Sequence, residues 1–277
     1  MSTLSAERAS NFGIGIQVTD FSNVKLVSSP EAQIRAYYET LYCAWGPQHW
    51  WPAHSRFEVI VGAYLTQNTS WTNVDIALRR LREAKLLNLA GIRKVSLARL
   101  QNLIRPAGYF RQKAARLKTF IRFVEQRYGG SLTRLFAQPT PSLREELLAL
   151  NGIGPETADS ILLYAGQHPV FVVDTYTRRI LERHGLTSAK ASYDQVRELC
   201  EAALKNVVSP TLPLELKYAL AHRPTPLSRT HRTPIAQVYN DMHGLIVNVG
   251  KQYCLKSKPR CEQCPLQKYL PRTPIAP

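Results

Sequence analysis

The stretch that most constrains the fold is Ser142 to Arg179, SLREELLALNGIGPETADSILLYAGQHPVFVVDTYTRR, in which two glycines one residue apart separate two helical patterns. Ser142 and Glu145 have the S-x-x-E spacing of a capping box, which predicts a helix starting there and running through Leu147, Leu148 and Leu150. Gly152 and Gly154 end it. A Gly-x-Gly corner lets the backbone turn sharply and approach another molecule with no Cβ in the way, which suits a phosphate grip. Pro155 fits the first position of a second helix, whose Ala158, Ile161, Leu162 and Ala165 share one face. Its amino-terminal N–H groups stay open to an anion.

Such a corner alone joins helices in many proteins. Here it is followed at a fixed interval by Val172-Val173-Asp174 and a basic helix with Arg178 and Arg179. The combination resembles the helix-hairpin-helix plus Asp pattern of the endonuclease III superfamily of DNA glycosylases. The resemblance implies an all-α fold: two helical domains, a DNA-binding cleft between them, and a C-terminal Cys-containing loop.

Charge points the same way. A net charge of +16 and a pI near 9.9 make a polyanion the natural partner, the bland alternative being a merely soluble or ribosomal basic protein. No apolar stretch reaches about 18 residues, so no membrane span is expected. The N-terminus lacks the charged-then-apolar order of a secretory signal, so the expected location is cytoplasmic, at the nucleoid in a prokaryote. A monomer is expected.

Residues 1–27 mix Ser, Asn, Gly and Thr without periodicity and read as a loose tail. From Pro30, Ile34, Tyr37, Tyr38, Leu41 and Tyr42 form the stripe of a first helix within 28–49, with Cys43 read as a small buried residue. This helix is expected to pack with a C-terminal domain over 169–277, leaving 50–168 as a six-helix domain containing the hairpin. Residues 209–234, with five prolines, read as a surface insertion that could touch the DNA backbone.

Adjacent tryptophans before a proline cannot both face one core from a regular helix, so at least one is expected to line a cleft; the competing reading packs both under a loop. The runs WWPAHSRFEVIVGAYLTQNTSW and RPAGYFRQKAARL resemble the 3-methyladenine DNA glycosylase branch of the superfamily. That resemblance implies that Trp50, Trp51, Pro52 and Trp71 line the base pocket. It also implies that Tyr109 wedges into the duplex where the target nucleotide leaves, with Gln67 supporting it. Gly152, Gly154, Lys113 and Arg178 complete the candidate DNA contacts. An alkylated purine is a delocalised cation, and electron-rich rings attract it by about 0.5 to 2 kcal/mol per contact beyond neutral stacking.

Asp174 suits an N-cap and equally a catalytic carboxylate, since a helix N-terminus holds it ionised. Breaking a purine N-glycosidic bond makes the sugar oxocarbenium-like; a fixed negative charge stabilises that state, and the same group can orient or deprotonate water. Bifunctional relatives carry a Schiff-base lysine eighteen residues before the aspartate, where this chain has Glu156. A carboxylate cannot form the imine, so little or no lyase chemistry is expected. The reading is thus a monofunctional glycosylase of base excision repair acting on 3-methyladenine-like lesions in double-stranded DNA. Open alternatives are an endonuclease III-like enzyme for oxidised or mismatched bases, a non-catalytic hairpin protein, and an RNA-binding protein.

Cys254, Cys261 and Cys264, spaced C-x6-C-x2-C, resemble the first three ligands of the superfamily's [4Fe–4S] loop, and Leu270 stands where the fourth cysteine belongs. Three readings stay open: a cluster with another fourth ligand, a three-iron or zinc-like site, or a loop without metal.

Overall fold

The computed structural model describes residues 29–211 and 224–271. The expected tail at 1–27 and the middle of the insertion lie outside the described residues. Among the described residues every regular element is helical: α1 Pro30–Trp45, α2 Arg56–Thr66, α3 Trp71–Glu83, α4 Leu89–Lys94, α5 Leu97–Ile104, α6 Phe110–Tyr128, α7 Leu132–Leu135, α8 Thr140–Leu148, α9 Pro155–Ser160, α10 Thr175–Arg183, α11 Tyr193–Leu204 and α12 Pro234–Gln252. A π-helical turn, Ile161–Gly166, continues α9.

Two groups of helices meet at the site. α1 packs on α11 and α12, and α10 lies along α12; on the other side α2 contacts α3, α6, α9 and the π turn. The π turn also touches α12 and so joins the groups. The α8–α9 hairpin is clamped from below by Arg144. Its guanidinium donates to both oxygens of the fully buried Asp159, at 2.7 and 3.2 Å, and to Asp194 of α11 at 2.9 Å. A forked guanidinium–carboxylate pair of this kind fixes angle as well as distance.

Three expectations need correction. α8 begins at Thr140, with Pro139 at its N-cap, so Ser142 and Glu145 fall inside the helix and form no capping box. Pro141 in the first turn already has helical φ and needs no N–H partner, which lets the helix start earlier. Cys43 is exposed, because it lies off the stripe of Ile34, Tyr37, Tyr38 and Leu41 that α1 buries. The C-terminal flank of the insertion, expected at the surface, is partly packed. Thr225 and Ser228 bond each other's backbone N–H groups, and Leu227 and Arg232 are buried with them.

Candidate active site

One cleft of about 870 Å³ gathers most of the residues singled out from the sequence: Trp50, Trp51, Gln67, Trp71, Gly152, Gly154, Glu156 and Asp174 all line it. Trp51 is 7% exposed and forms the floor, while Trp50 and Trp71 remain partly open. The Trp51 ring meets Trp71 nearly edge-on at 5.2 Å between centroids and Trp50 at 6.0 Å. Pro52 is not part of the lining.

The hairpin corner forms one lip. Gly152 has φ +83°, which an L side chain rarely adopts, and the space where a Cβ would stand is filled by the side chain of Arg116. Gly154 has nothing within 4 Å of that position, so its backbone is open to an approaching molecule. Gln67 ties the α2–α3 turn to this corner: its Nε2 donates to the Gly152 carbonyl at 2.9 Å and to Thr157 Oγ1 at 3.0 Å, and its Oε1 accepts from Arg116 at 3.1 Å.

Asp174 caps α10. Its Oδ1 accepts from Thr177 N at 2.7 Å and Thr177 Oγ1 at 2.9 Å. Its Oδ2 lies 3.4 Å from His243 Nε2 of α12. Burial alone would raise the Asp174 carboxyl, but His243 and the Thr177 donors outweigh it and hold the group below the ordinary carboxylate value. Glu156 behaves oppositely. It opens on the cleft, yet the walls around it and then the charge of Asp174 push its carboxyl up to about 7. Two carboxyls in one cleft are thereby driven apart, Asp174 toward the ionised form and Glu156 toward the neutral one.

Other candidates fall elsewhere. Tyr109 stands at the tip between the short turn Arg105–Ala107 and α6, 66% exposed with φ 44°, outside the cleft lining. Lys113 is no DNA contact: it is 1% exposed, and its Nζ donates to Leu65 O at 2.9 Å, Thr69 Oγ1 at 2.9 Å and Ala107 O at 2.7 Å. Three inward acceptors leave the ammonium no reach to a phosphate. The Arg178 guanidinium is turned to the Ala191 carbonyl at 2.9 Å, bracing the start of α11.

Sequence reasoning missed Tyr176, Tyr193 and His243, all in the cleft lining, which Lys251 of the basic C-terminal run also joins. Lys251 Nζ sits 5.9 Å from the Trp50 ring centroid. For His243 a signal existed: α12 buries Asn240, Asp241, His243 and Asn248 among its apolar residues, and polar groups on a core face need partners.

The cysteine loop does not fit a four-thiolate cluster. Cys254, Cys261 and Cys264 line a second, small cavity of about 20 Å³, which has no fourth thiol and whose lining also holds the aliphatic Leu270 and the imidazole of His184. Burial raises the Cys264 thiol, with Cys254 and Cys261 adding to the shift. Cys254 Sγ already accepts from Arg183 Nη1 at 3.3 Å. Among the described residues no group of three His, Cys, Asp or Glu side chains is gathered to hold a metal ion. Cys43 is exposed and Cys200 is buried in α11; neither lines that cavity.

Residues 61–206 match the family described as HhH-GPD superfamily base excision DNA repair protein. The chain is 41% identical over 233 residues to a Methanocaldococcus jannaschii protein named "Putative DNA repair glycosylase", spanning 84% of this chain and 93% of that one. Among solved structures it is similar to the H. pylori 3-methyladenine DNA glycosylase bound to 1,N6-ethenoadenine, at TM-score 0.63 and 30% identity over 81% of this chain and 98% of that one. It also shares the fold of an endonuclease III–DNA covalent intermediate, at TM-score 0.65 and 21% identity, covering 86% and 94% of the two chains.

Proposed function

Because the chain belongs to the HhH-GPD superfamily of base excision DNA repair proteins, we propose that it is a monofunctional DNA glycosylase that hydrolyses the N-glycosidic bond of alkylated purines, 3-methyladenine-like lesions first, extruded from duplex DNA. The observation that carries this is the sharing of one cleft by Asp174, the indoles of Trp50 and Trp71, and an acid, Glu156, where a lyase would need its lysine.

In this reading the Gly152–Gly154 corner takes the backbone of the damaged strand and Tyr109 enters the space the nucleotide leaves. The base enters the aromatic slot. Asp174, held ionised, faces the sugar as positive charge develops and stabilises it electrostatically. An alkylated purine leaves as a neutral base, so acid assistance is dispensable. The cleft then separates a 50–168 unit from one made of the first helix and 169–277. No step needs the cysteine loop. The ligand bound by the H. pylori relative, an adenine carrying an added ring, supports a pocket of this kind for purine adducts.

The test is base release from methylated duplex DNA, with a panel of single-lesion duplexes beside it. Asp174→Asn is expected to lose about 10²-fold or more of the rate, the scale of one strong electrostatic group in a site. Equal release by both proteins removes Asp174 from its role; preference for oxidised pyrimidines or mismatches replaces the substrate class. Borohydride trapping on abasic DNA is expected to give no stoichiometric adduct.

A further inference from the structure

The two oxygens of Asp174 are not equivalent. Oδ1 is saturated by Thr177 N and Thr177 Oγ1 as part of the helix cap. Oδ2 has no such donor, and the group beside it is His243 Nε2 at 3.4 Å. That nitrogen is buried and makes no hydrogen bond of ordinary geometry. His243 as a whole is 5% exposed.

The imidazole cannot swing away. Its Nδ1 is bonded to the Tyr164 hydroxyl, its ring stacks on Tyr164 at 5.7 Å between centroids, and Trp50 meets it edge-on at 6.1 Å. Burial keeps Tyr164 a phenol, so its O–H can donate to Nδ1, which leaves the ring proton on Nε2, facing the carboxylate. We infer that His243 is a positioning residue for the reaction, locked by Tyr164 so that its Nε2–H is aimed at Asp174 Oδ2, fixing which carboxylate lone pairs remain for the sugar and the water. The inference rests on Asp174 having the role proposed above. It also narrows that role: with Oδ1 taken by two Thr177 donors and Oδ2 facing the His243 edge, the main contribution of the carboxylate is fixed negative charge rather than base catalysis.

The other ionisable groups around the pair are Glu156 from α9, Lys251 from the end of α12, and Arg232, which reaches Tyr164 electrostatically from the segment before α12. Asp241, also on α12, is taken by Gln48 N at 2.8 Å and Gln237 Nε2 at 2.8 Å. His243 is thus the group of α12 that faces Oδ2.

The experiment is single-turnover release of 3-methyladenine from duplex DNA across the pH range, with DNA affinity measured separately, for the wild type, Asp174→Asn, His243→Phe, His243→Gln and Tyr164→Phe. His243→Phe keeps a flat ring and removes the donor. Its rate is expected to fall about 10- to 100-fold, the scale of one polar contact to a charged group, with DNA affinity unchanged. Its acid limb should move to higher pH, because a carboxylate robbed of a donor protonates more readily. His243→Gln, whose amide nitrogen reaches a similar place, should recover most of the rate and return the acid limb. Tyr164→Phe should lose less than His243→Phe. A His243→Phe protein that folds, binds DNA and releases base at the wild-type rate with an unmoved acid limb overturns the inference while an inactive Asp174→Asn leaves the function standing. Should His243→Phe not fold, a His243→Gln rate below that of Tyr164→Phe at unchanged affinity overturns it equally, and one above supports it. An active Asp174→Asn instead removes Asp174 from its role, and the inference with it, whereas a wild type that releases no base overturns the function itself.

Discussion

Gln67 Nε2 lies 2.9 Å from the carbonyl of Gly152, so the turn after α2 is tied directly to the hairpin corner. The two segments are 85 residues apart in the chain. Companion bonds to Thr157 Oγ1 and from Arg116 Nη1 reinforce the tie at one lip of the cleft.

Gln67→Ala removes all three bonds from a partly buried site, and unfolding stability is expected to fall by about 1–2 kcal/mol. Affinity for lesion-containing duplex should weaken as well, because the corner is no longer held. Denaturant unfolding and a binding titration check the two effects separately; loss of affinity with no loss of stability would place Gln67 on the DNA instead.

Lys113 knots the α2 end to the loop before α6. Lys113→Met leaves the carbonyls of Leu65 and Ala107 without that donor and is expected to cost roughly 2–4 kcal/mol. The pH dependence has a definite sign. Burial lowers the ammonium to about 8 from an ordinary 10.5, so between those values the unfolded chain binds more protons than the folded one, and stability rises with pH across that window. Melting curves of wild type and Lys113→Met between pH 8 and 10.5 should differ in slope, the variant lacking the rise from this group.

Glu156 runs the other way. Its folded-state value near 7 exceeds the ordinary 4.5, so the folded chain holds the extra proton and stability falls as pH rises from about 4.5 through 7. Glu156→Gln is neutral throughout. It should melt higher than wild type at pH 8 and show a shallower decline across the same window, as read by calorimetry.

Leu270 shares a cavity with Cys254, Cys261 and Cys264. Leu270→Cys supplies the fourth thiol and is expected, after anaerobic reconstitution, to bind iron with visible charge-transfer absorbance, whereas the wild type treated alike does not reach four irons per chain. Iron analysis of both proteins decides it, and a wild type purified with four irons would refute the argument from the ligand set.

Much of the site was legible in the chain itself. A Gly-x-Gly corner, a proline at the first helical position and an Asp before Thr-Tyr-Thr-Arg are local instructions, each acting within a few residues, and the corner, α9 and the cap of α10 formed as read. The helix patterns were equally local, except where Pro141 moved the start of α8. What the sequence could not state was direction. Lys113 sits on a basic, amphipathic run, and nothing in that run says that three carbonyl and hydroxyl oxygens from other segments await its ammonium. His243 lies 69 residues from Asp174 and reads as one more residue of a buried helix until α12 is laid along α10. Local propensity and spacing act through neighbouring backbone and are written in the order of residues. Which way a long side chain turns, and which lone pair it meets, depends on packing between distant segments, and that is decided only when the helices close on one another.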